Sequence, residues 1–298
     1  MRELSSPIRV QEKDGSEANS SWKLMVNSDY IDRLESAGIN SFTTYFDVQN
    51  GTIIKKIKAR SVIRVELAKS VFFLKRYEKE PQQSHVRSQA SPVPYCSEGG
   101  KEFANYVAFR NNGLSTAVPV AMGERIFRDG RVESFLLTED FSPYVQLEYL
   151  IRNEPFKLAG PENSDKRRNI LRAVACYARN MHNKGFNHKD FNATHLLLSG
   201  VEAERPEVAL FDLQRVDQNR LQKLRWPIKA LAEFNYSSLE NDLFSDADRA
   251  FLFHVYRNND QGRLSFLEHL QWVLIQMKTR RIARHTAKRH ARKRIASD

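Results

Sequence analysis

Cysteine and long apolar runs are scarce in this sequence, and both absences exclude whole classes of protein. The only cysteines among the 298 residues are Cys96 and Cys176, which lie far apart without closely spaced Cys or His partners. This spacing gives no basis for a disulfide framework or a zinc site. Apolar runs stay short of the roughly 18 residues that cross a bilayer, and the polar residues 1–16 do not resemble a signal peptide. The sequence therefore predicts a soluble, cytosolic protein.

Acidic residues are outnumbered by basic ones. The formal net charge is +11 and the isoelectric point is near 9.6, while 41% hydrophobic residues are enough for a core at this length. Nine Lys or Arg residues fall between Lys278 and Arg294, so residues 278–298 are predicted to form a basic C-terminal tail. An excess of this size indicates an anionic partner, which could be nucleic acid, an acidic membrane surface or a polyanionic substrate.

The segment from Gly185 to Asp212 carries the clearest chemistry. It reads G-F-N-H-K-D-F-N-A-T-H-L-L-L and, after a polar interruption, V-A-L-F-D-L-Q. Asp190 precedes the first apolar run and Asp212 closes the second. A hairpin across residues 199–207 would therefore bring both acids to one end of a small sheet. Two such carboxylates can hold Mg²⁺ and accept a hydroxyl proton, which is what a phosphotransferase requires.

The N-terminal half predicts an antiparallel sheet. Residues 1–20 are polar and are expected to form a loose leader, whereas strand patterns follow the Asn50-Gly51 turn at residues 52–54, 61–67 and 71–75. Residues 78–100, rich in Ser, Pro and Gln, are expected to form a disordered linker before a helix from Lys101 to about Asn112. Apolar residues at helical spacing predict further helices at residues 166–182 and 264–277.

These motifs resemble those of protein-kinase-like enzymes and, in detail, those of the lipopolysaccharide core kinases, the Kdo and heptose kinase family. His188, Lys189, Asp190 and His195 match one family element, and Asp212 to Arg215 match the other, over a similarity extending from about Gly51 to Arg257. The resemblance implies a bilobal, protein-kinase-like α+β fold with a small antiparallel-sheet N-lobe and a mainly helical C-lobe. The predicted divisions are an extension (1–40), the N-lobe (41–140), the C-lobe (141–277) and the tail (278–298).

The resemblance also implies a nucleotide site for ATP. Lys75 would hold the phosphates and Glu102 would orient it by an ion pair, although a lysine in such a strand is also typical of an exposed edge. Gly51 would be the remnant of a glycine-rich phosphate loop, with an ordinary turn as the alternative. The segment from Thr138 to Phe141, including Glu139 and Phe141, would be the hinge that binds adenine.

The same resemblance assigns the reaction chemistry. Asp190 would be the base and Asp212 would bind Mg²⁺. His195 stands where most kinases carry a metal-binding Asn, but imidazole is a poor Mg²⁺ ligand, so contact with a phosphate or with the loop is the alternative. The acceptor would be bound by a basic set that is equally typical of a solvated face: Arg215, Arg220, Lys223 and Arg225.

The predicted function is ATP-dependent phosphorylation of a sugar, Kdo or heptose, of the lipopolysaccharide inner core at the cytoplasmic face of the inner membrane. The helix with Leu267, Leu270, Leu274 and Met277 runs into the basic tail and is expected to bind the anionic membrane surface, more weakly once residues beyond Met277 are removed. A kinase of a protein or another small molecule is one alternative. A catalytically silent, nucleic-acid-binding module is another, which the lack of aromatic residues after Trp272 disfavours.

Overall fold

The computed structural model describes residues 7–17, 19–81, 95–218, 225–239, 242–259 and 262–295. Contacts group these residues into two compact units. The first extends to Ser142 and includes Asp212–Gln214, and the second contains Pro143–Phe211 together with the chain from Arg215 onward. The four divisions predicted from the sequence stay a prediction.

The first unit is built on a seven-stranded antiparallel sheet with the strand order β1-β2-β6-β7-β5-β4-β3. Three helices accompany it: α1 (Ile31–Ser36), α2 (Phe42–Phe46) and α3 (Glu98–Asn111). Its strands are β1 (Val10–Glu17), β2 (Ser20–Asn27), β3 (Gly51–Ile57), β4 (Arg60–Leu67), β5 (Ser70–Pro81), β6 (Pro119–Phe127) and β7 (Arg131–Glu139).

The N-terminal leader prediction is wrong for residues 10–17. They form β1, which pairs with β2 from Val10 opposite Asn27 to Glu17 opposite Ser20. The polar sequence hid this strand because β1 lies at the sheet edge and its pairing is made by the backbone. From β2, Leu24 and Val26 enter the core of the unit, where they pack with residues of α2 and β7.

The predicted linker is also shorter than expected. Strand β5 continues to Pro81, and α3 begins at Glu98 because the Ser97 hydroxyl caps it by accepting from the Gly100 amide at 2.9 Å. The buried carboxylate of Glu80 accepts from the Glu98 amide at 2.7 Å and from the Ser134 hydroxyl. These contacts join β5, α3 and β7. The rest of the predicted linker, residues 82–94, lies outside the described chain.

The second unit contains short strands and five helices in its described part. A three-stranded sheet has the order β11-β10-β8, and β9 pairs with β12. The strands are β8 (Val145–Gln146), β9 (Asn187–His188), β10 (Leu196–Ser199), β11 (Glu207–Leu210) and β12 (Val216–Asp217), and the helices are α4 (Leu147–Arg152), α5 (Ser164–Asn183), α6 (Arg225–Ser237), α7 (Asp246–Tyr256) and α8 (Phe266–Ile295).

Two local predictions in this unit are confirmed. Strands β10 and β11 form the expected hairpin, with Leu196 opposite Leu210 and Ser199 opposite Glu207. Helix α5 ends just before Gly185, whose φ of 85° lies in the left-handed region that favours glycine. The loop that carries Asp190 therefore starts from a fixed helix end.

Helix α8 is much longer than the predicted 264–277 segment and continues through the basic sequence. Ile275 is fully buried, and Thr279 is buried with its hydroxyl donating to the Ile275 carbonyl at 2.9 Å and lying 3.5 Å from the Ala232 carbonyl of α6. The first turns of the basic segment are therefore packed against α6. None of the described helices combines the length and the hydropathy that a bilayer span requires.

The core of the second unit contains a neutral histidine. Burial lowers the pKa of His182 to about 4, against an opposing effect of hydrogen bonding with Asn187, and its Nδ1 lies 2.9 Å from the Tyr256 hydroxyl. The unfolded chain binds a proton at about pH 6.5, so stability should fall as the pH drops from 6.5 towards 4. Protonation should remove roughly 2 kcal/mol by pH 5.

This pH dependence can be measured by denaturant unfolding of the His182→Gln variant and the native chain at pH 8 and pH 5. The variant should lose less stability between the two pH values than the native chain loses. His285→Gln, which changes an exposed histidine of α8, serves as the matched control and should behave like the native chain. An equal loss in the His182 variant would contradict the prediction.

Candidate active site

Lys75 lies in the middle of β5, opposite Val62 of β4 and Leu136 of β7. Its Nζ is 2.7 Å from Glu102 Oε2, 2.9 Å from Glu102 Oε1 and 2.8 Å from Asp212 Oδ1. Burial alone would lower the pKa of Lys75, but the charges of Glu102 and Asp212 outweigh it and the pKa lies above its ordinary value. Lys75 is therefore a fixed cation held by two carboxylates.

The two carboxylates differ in exposure. The Glu102 side chain is 1% exposed and that of Asp212 is 32% exposed. Glu102 is therefore closed to solvent, where it holds Lys75 and accepts from the Tyr77 hydroxyl at 3.4 Å, whereas Asp212 offers oxygen to a ligand at the surface of the first unit. The structure thus contains the predicted pair of Lys75 with Glu102.

Asp212 has an unusual backbone. Its φ is 58°, in the left-handed region that non-glycine residues rarely adopt, and its amide donates to the Tyr106 hydroxyl at 2.9 Å. Strained residues of this kind persist where the surroundings fix them, often at functional sites. Tyr106 of α3 thus holds the aspartate that follows β11.

The sequence analysis did not identify the side chains that hold Asp212 and the two residues after it. Tyr106 and Asn105 follow Glu102 on α3 at the spacings that share one helix side, and the Asn105 amide donates to the Leu213 carbonyl at 2.7 Å. Gln214 accepts from Arg60 at 3.2 Å and donates to Glu98 at 2.8 Å. The helical spacing could have indicated that these α3 residues act together. The sequence carries no signal for hydrogen bonds between residues more than 100 positions apart.

Asp190 belongs to the second unit and lies in the loop between β9 and β10. Its carboxylate is 28% exposed, and Arg215 Nη1 lies 2.8 Å from each of its oxygens. The Ala193 amide donates to Ser237 Oγ of α6 at 2.9 Å, and the Phe191 and Phe234 rings lie 6.4 Å apart. The loop is therefore fixed on α6 with Asp190 partly open to solvent. Joint action of Asp190 and Asp212 on one nucleotide stays a prediction.

His195 holds the same loop. Its Nδ1 lies 2.9 Å from the Asp190 carbonyl oxygen, and its ring is 5.3 Å from that of the buried His188. This contact fits the loop alternative, and any metal contact would have to come from Nε2. Asn192 caps the loop by accepting from the Thr194 amide at 3.0 Å.

Binding of Mg²⁺ depends on the oxygen donors that this site offers. Within the described chain no group of three His, Cys, Asp or Glu side chains could hold a metal ion by itself. Mg²⁺ in phosphotransferases needs only one or two carboxylates, because substrate phosphates and water complete its shell. The partly exposed oxygens of Asp212 fit that requirement, and the imidazole of His195 fits it poorly.

Gly51 is not in a loop between strands. It begins β3 opposite Val65, and the β3–β4 turn is made seven residues later by Lys58 and Ala59, with a φ of 52° at Lys58. The Asn50-Gly51 pair misled the prediction because it marks the entry to the hairpin. Gly51 shares a cross-strand row with Val65, Phe72 and Glu139, so it lies level with the predicted hinge.

The hinge residues are partly engaged within the sheet. The Glu139 amide donates to the Val118 carbonyl at 2.9 Å and the Asp140 amide to the Val71 carbonyl at 3.1 Å. The Phe141 ring stacks on Phe73 with centroids 5.1 Å apart. Two backbone amides of the predicted hinge are therefore already engaged within the first unit, and adenine binding by this segment stays a prediction.

The four predicted acceptor-binding residues differ in their surroundings, and two of them are not described by the structure. Arg215 is paired with Asp190, as described above. Arg225 is exposed at the start of α6. Arg220 and Lys223 lie outside the described residues. Acceptor binding by this set stays a prediction.

Comparison with known proteins identifies relatives of the chain. Residues 44–256 match the Lipopolysaccharide kinase (Kdo/WaaP) family. A lipopolysaccharide core heptose(I) kinase WaaP of Escherichia coli is 27% identical over 193 residues, covering 63% of this chain and 71% of the relative. The WaaP of Pseudomonas aeruginosa is 25% identical over 240 residues, covering 77% and 88%.

A solved structure agrees with the fold. The chain described as WaaP in complex with acyl carrier protein superposes with a TM-score of 0.65 at 21% identity, covering 88% of this chain and 98% of that chain. The predicted protein-kinase-like fold, with an N-terminal antiparallel sheet followed by a helical C-terminal region, is confirmed. Because the family match spans more than two thirds of the sequence, the chain belongs to the lipopolysaccharide kinase (Kdo/WaaP) family.

Proposed function

We propose that this protein transfers the γ-phosphoryl group of ATP to a hydroxyl of Kdo or heptose in the lipopolysaccharide inner core. Membership of a kinase family implies the use of ATP. The observation that carries the proposal is the ion network in which Lys75 is held by the buried Glu102 and the partly exposed Asp212. Phosphoryl transfer needs mainly such positioned charges, because little covalent work is done by the enzyme.

The first unit would hold the nucleotide. Lys75 would contact the phosphates while Glu102 keeps its ammonium group in place. Asp212 would hold Mg²⁺, which neutralises phosphate charge when bound. Tyr106 would keep Asp212 in its left-handed conformation.

The second unit would act on the acceptor. Asp190 would accept the proton of the attacking hydroxyl, since its carboxylate is partly exposed in a loop fixed by His195 and Ser237. Arg215 and Arg225 are the described cations of the predicted acceptor set, and guanidinium groups suit phosphate or carboxylate.

The test incubates the purified protein with γ-labelled ATP, Mg²⁺ and lipopolysaccharide that lacks core phosphate. Label should enter the glycolipid and be lost in the Asp190→Ala and Asp212→Ala variants. Label in protein or in another small molecule alone would instead support a kinase of a different acceptor. Nucleic-acid binding without ATP turnover would support a silent binding module.

We further propose that the protein works at the cytoplasmic face of the inner membrane, with α8 on the anionic surface. One exposed row of α8 continues at three- and four-residue spacing and changes from apolar to basic along the helix. Its residues are Phe266, Leu270, Val273, Met277, Arg281, Arg284, Lys288 and Arg292. Apolar side chains could enter the lipid boundary while the cations meet headgroups.

Replacing Arg281, Arg284, Lys288 and Arg292 together by Gln should weaken binding to anionic vesicles. At about 1 kcal/mol for each cation near the surface, the loss is roughly 10³-fold. Flotation with vesicles of increasing anionic lipid content measures it, and added salt should weaken the native protein in the same direction. These substitutions are preferable to truncation after Met277, which would also remove the packed Thr279.

ATP binding should be unchanged in this variant and provides the control for folding. Equal vesicle binding by the variant and the native chain would remove the membrane proposal. Binding to acyl carrier protein in place of vesicles would assign the surface to the partner named for the solved WaaP structure.

A further inference from the structure

Asp190 has a cationic partner in the structure. Arg215 Nη1 lies 2.8 Å from both carboxylate oxygens, and the Arg215 carbonyl accepts from the Lys189 amide at 2.9 Å. The backbone of Arg215 is thus anchored, but its side chain is 58% exposed and can rotate to another anion. While the pair persists, lone pairs of Asp190 that point to Arg215 are not available to a hydroxyl proton.

Helix α6 carries further charges towards the Asp190 loop. Arg225, Lys229 and Glu233 are four residues apart and share one side of the helix. Glu233 directly precedes Phe234, whose ring packs on Phe191, the neighbour of Asp190. This part of α6 therefore lies beside the loop.

Helix α8 adds one more cation to the same place. Thr279 of α8 packs on α6 with its hydroxyl 3.5 Å from the Ala232 carbonyl, and Lys278, the residue before it, is near enough to Glu233 for its charge to act on that carboxyl. Lys229 and Lys278 are both half-buried, and within the described chain neither forms an ion pair shorter than 4 Å. Burial raises the pKa of Glu233, Asp190 raises it further, and Lys229, Lys278 and Arg215 oppose them. All four charged groups therefore act on Glu233.

We propose that Arg215, Lys229 and Lys278 form a binding site for an anionic group of the acceptor, a carboxylate or a phosphate, and that this anion draws Arg215 away from Asp190. Among the described groups that act on Glu233, three are cations and one, Asp190, is a carboxylate, so these five groups together carry one positive charge that an anion can balance. Arg215 would be a positioning residue that exposes Asp190 only when an anionic acceptor is bound. The inference rests on the proposed sugar kinase function and adds a criterion for its substrate.

The exchange itself moves no proton, because one anion replaces another on the guanidinium group. In the transfer that follows, the acceptor oxygen bonds to the γ-phosphorus and its proton passes to Asp190. The bond from the γ-phosphorus to the bridging oxygen breaks, and its electron pair leaves with ADP. An acceptor without a nearby anion would leave Asp190 paired and would react slowly.

The first test is kinetic and uses the Lys229→Gln, Lys278→Gln double variant of the full chain. The KM for the lipopolysaccharide acceptor should rise about tenfold or more with little change in the KM for ATP, as expected when substrate contacts are lost. Lys157→Gln with Arg205→Gln removes one half-buried and one exposed charge from the same unit and should leave both constants unchanged. An unchanged acceptor KM in the Lys229 and Lys278 variant would overturn the proposal.

The second test concerns Arg215. Native protein should prefer lipopolysaccharide with intact sugar carboxylates over the carboxyl-reduced form, and the Arg215→Gln variant should lose most of that preference. A merely structural role for Arg215 would lower both rates and leave their ratio intact, which would refute the exchange.

A titration separates this inference from the proposed function. Calorimetry with Kdo, inorganic phosphate and a neutral heptose reads binding without turnover. Kdo or phosphate, but not heptose, should bind the native chain and bind the Lys229 and Lys278 variant at least tenfold more weakly. Absence of label transfer together with this binding would defeat only the sugar kinase assignment. Absence of anion binding by the native chain would defeat only the anion site.

Discussion

Replacing Asp190 by Asn is expected to lower kcat for phosphoryl transfer by about 10²- to 10⁴-fold, the range found for removal of a general base. The amide has nearly the same shape as the carboxylate but cannot accept the hydroxyl proton. The loop should keep its conformation, because the Asp190 carbonyl and Ser237 hold it in addition to the pair of the carboxylate with Arg215. Steady-state transfer of labelled phosphate to lipopolysaccharide measures the loss.

Asp217→Asn is the matched control for this prediction. Asp217 is a partly exposed carboxylate of the same unit and pairs with Lys189, the neighbour of Asp190, at 2.8 Å. It should lose far less kcat than the Asp190 variant, and both variants should bind ATP like the native chain. Similar losses of kcat in the two variants would show that the reaction depends on the negative charge of the loop and not on proton transfer to Asp190. Near-native kcat in Asp190→Asn would exclude Asp190 as the base.

The sequence predicted elements wherever the signal was local. Strands β3 to β5, the β10–β11 hairpin and the end of α5 at Gly185 follow from alternation, turn residues and glycine, and all are present. Strand β1 was missed because its residues are polar and its stability comes from backbone pairing with β2. The early start of α3 was missed because its cap, Ser97, lies in a stretch rich in Ser, Pro and Gln, and because Glu80, which binds the Glu98 amide, comes from a distant strand.

The candidate active site shows the same difference between what local sequence signals predict and what contacts between distant segments determine. Residue types and order, with the family resemblance, pointed to Lys75, Glu102 and Asp212 as one set, and the structure brings these three together. Sequence spacing could not reveal that Arg215 already pairs with Asp190 or that Tyr106 holds the Asp212 backbone. Both contacts join segments that only the folded chain brings together.

Replacing Lys75 by Met is expected to destabilise the protein and to abolish phosphoryl transfer. Glu102 is 1% exposed, so removal of its partner leaves a buried charge without compensation, which costs about 3 to 5 kcal/mol. The thermal midpoint should fall by roughly 2 to 4 °C for each kcal/mol. The deficit should be smaller at pH 5 than at pH 8, because a buried carboxyl without a cation binds a proton more readily when folded than when unfolded.

The double variant Lys75→Met, Glu102→Gln separates stability from catalysis. Once the buried charge is gone, most of the lost thermal stability should return, since a neutral amide is far less costly to bury than a carboxylate. Transfer activity should not return, because the cation for the nucleotide phosphates is still missing. Calorimetric melting and ATP binding, measured on the single and double variants, check both halves. Recovery of ATP turnover in the double variant would mean that Lys75 serves only to neutralise Glu102, and the nucleotide phosphates would then need a different cation.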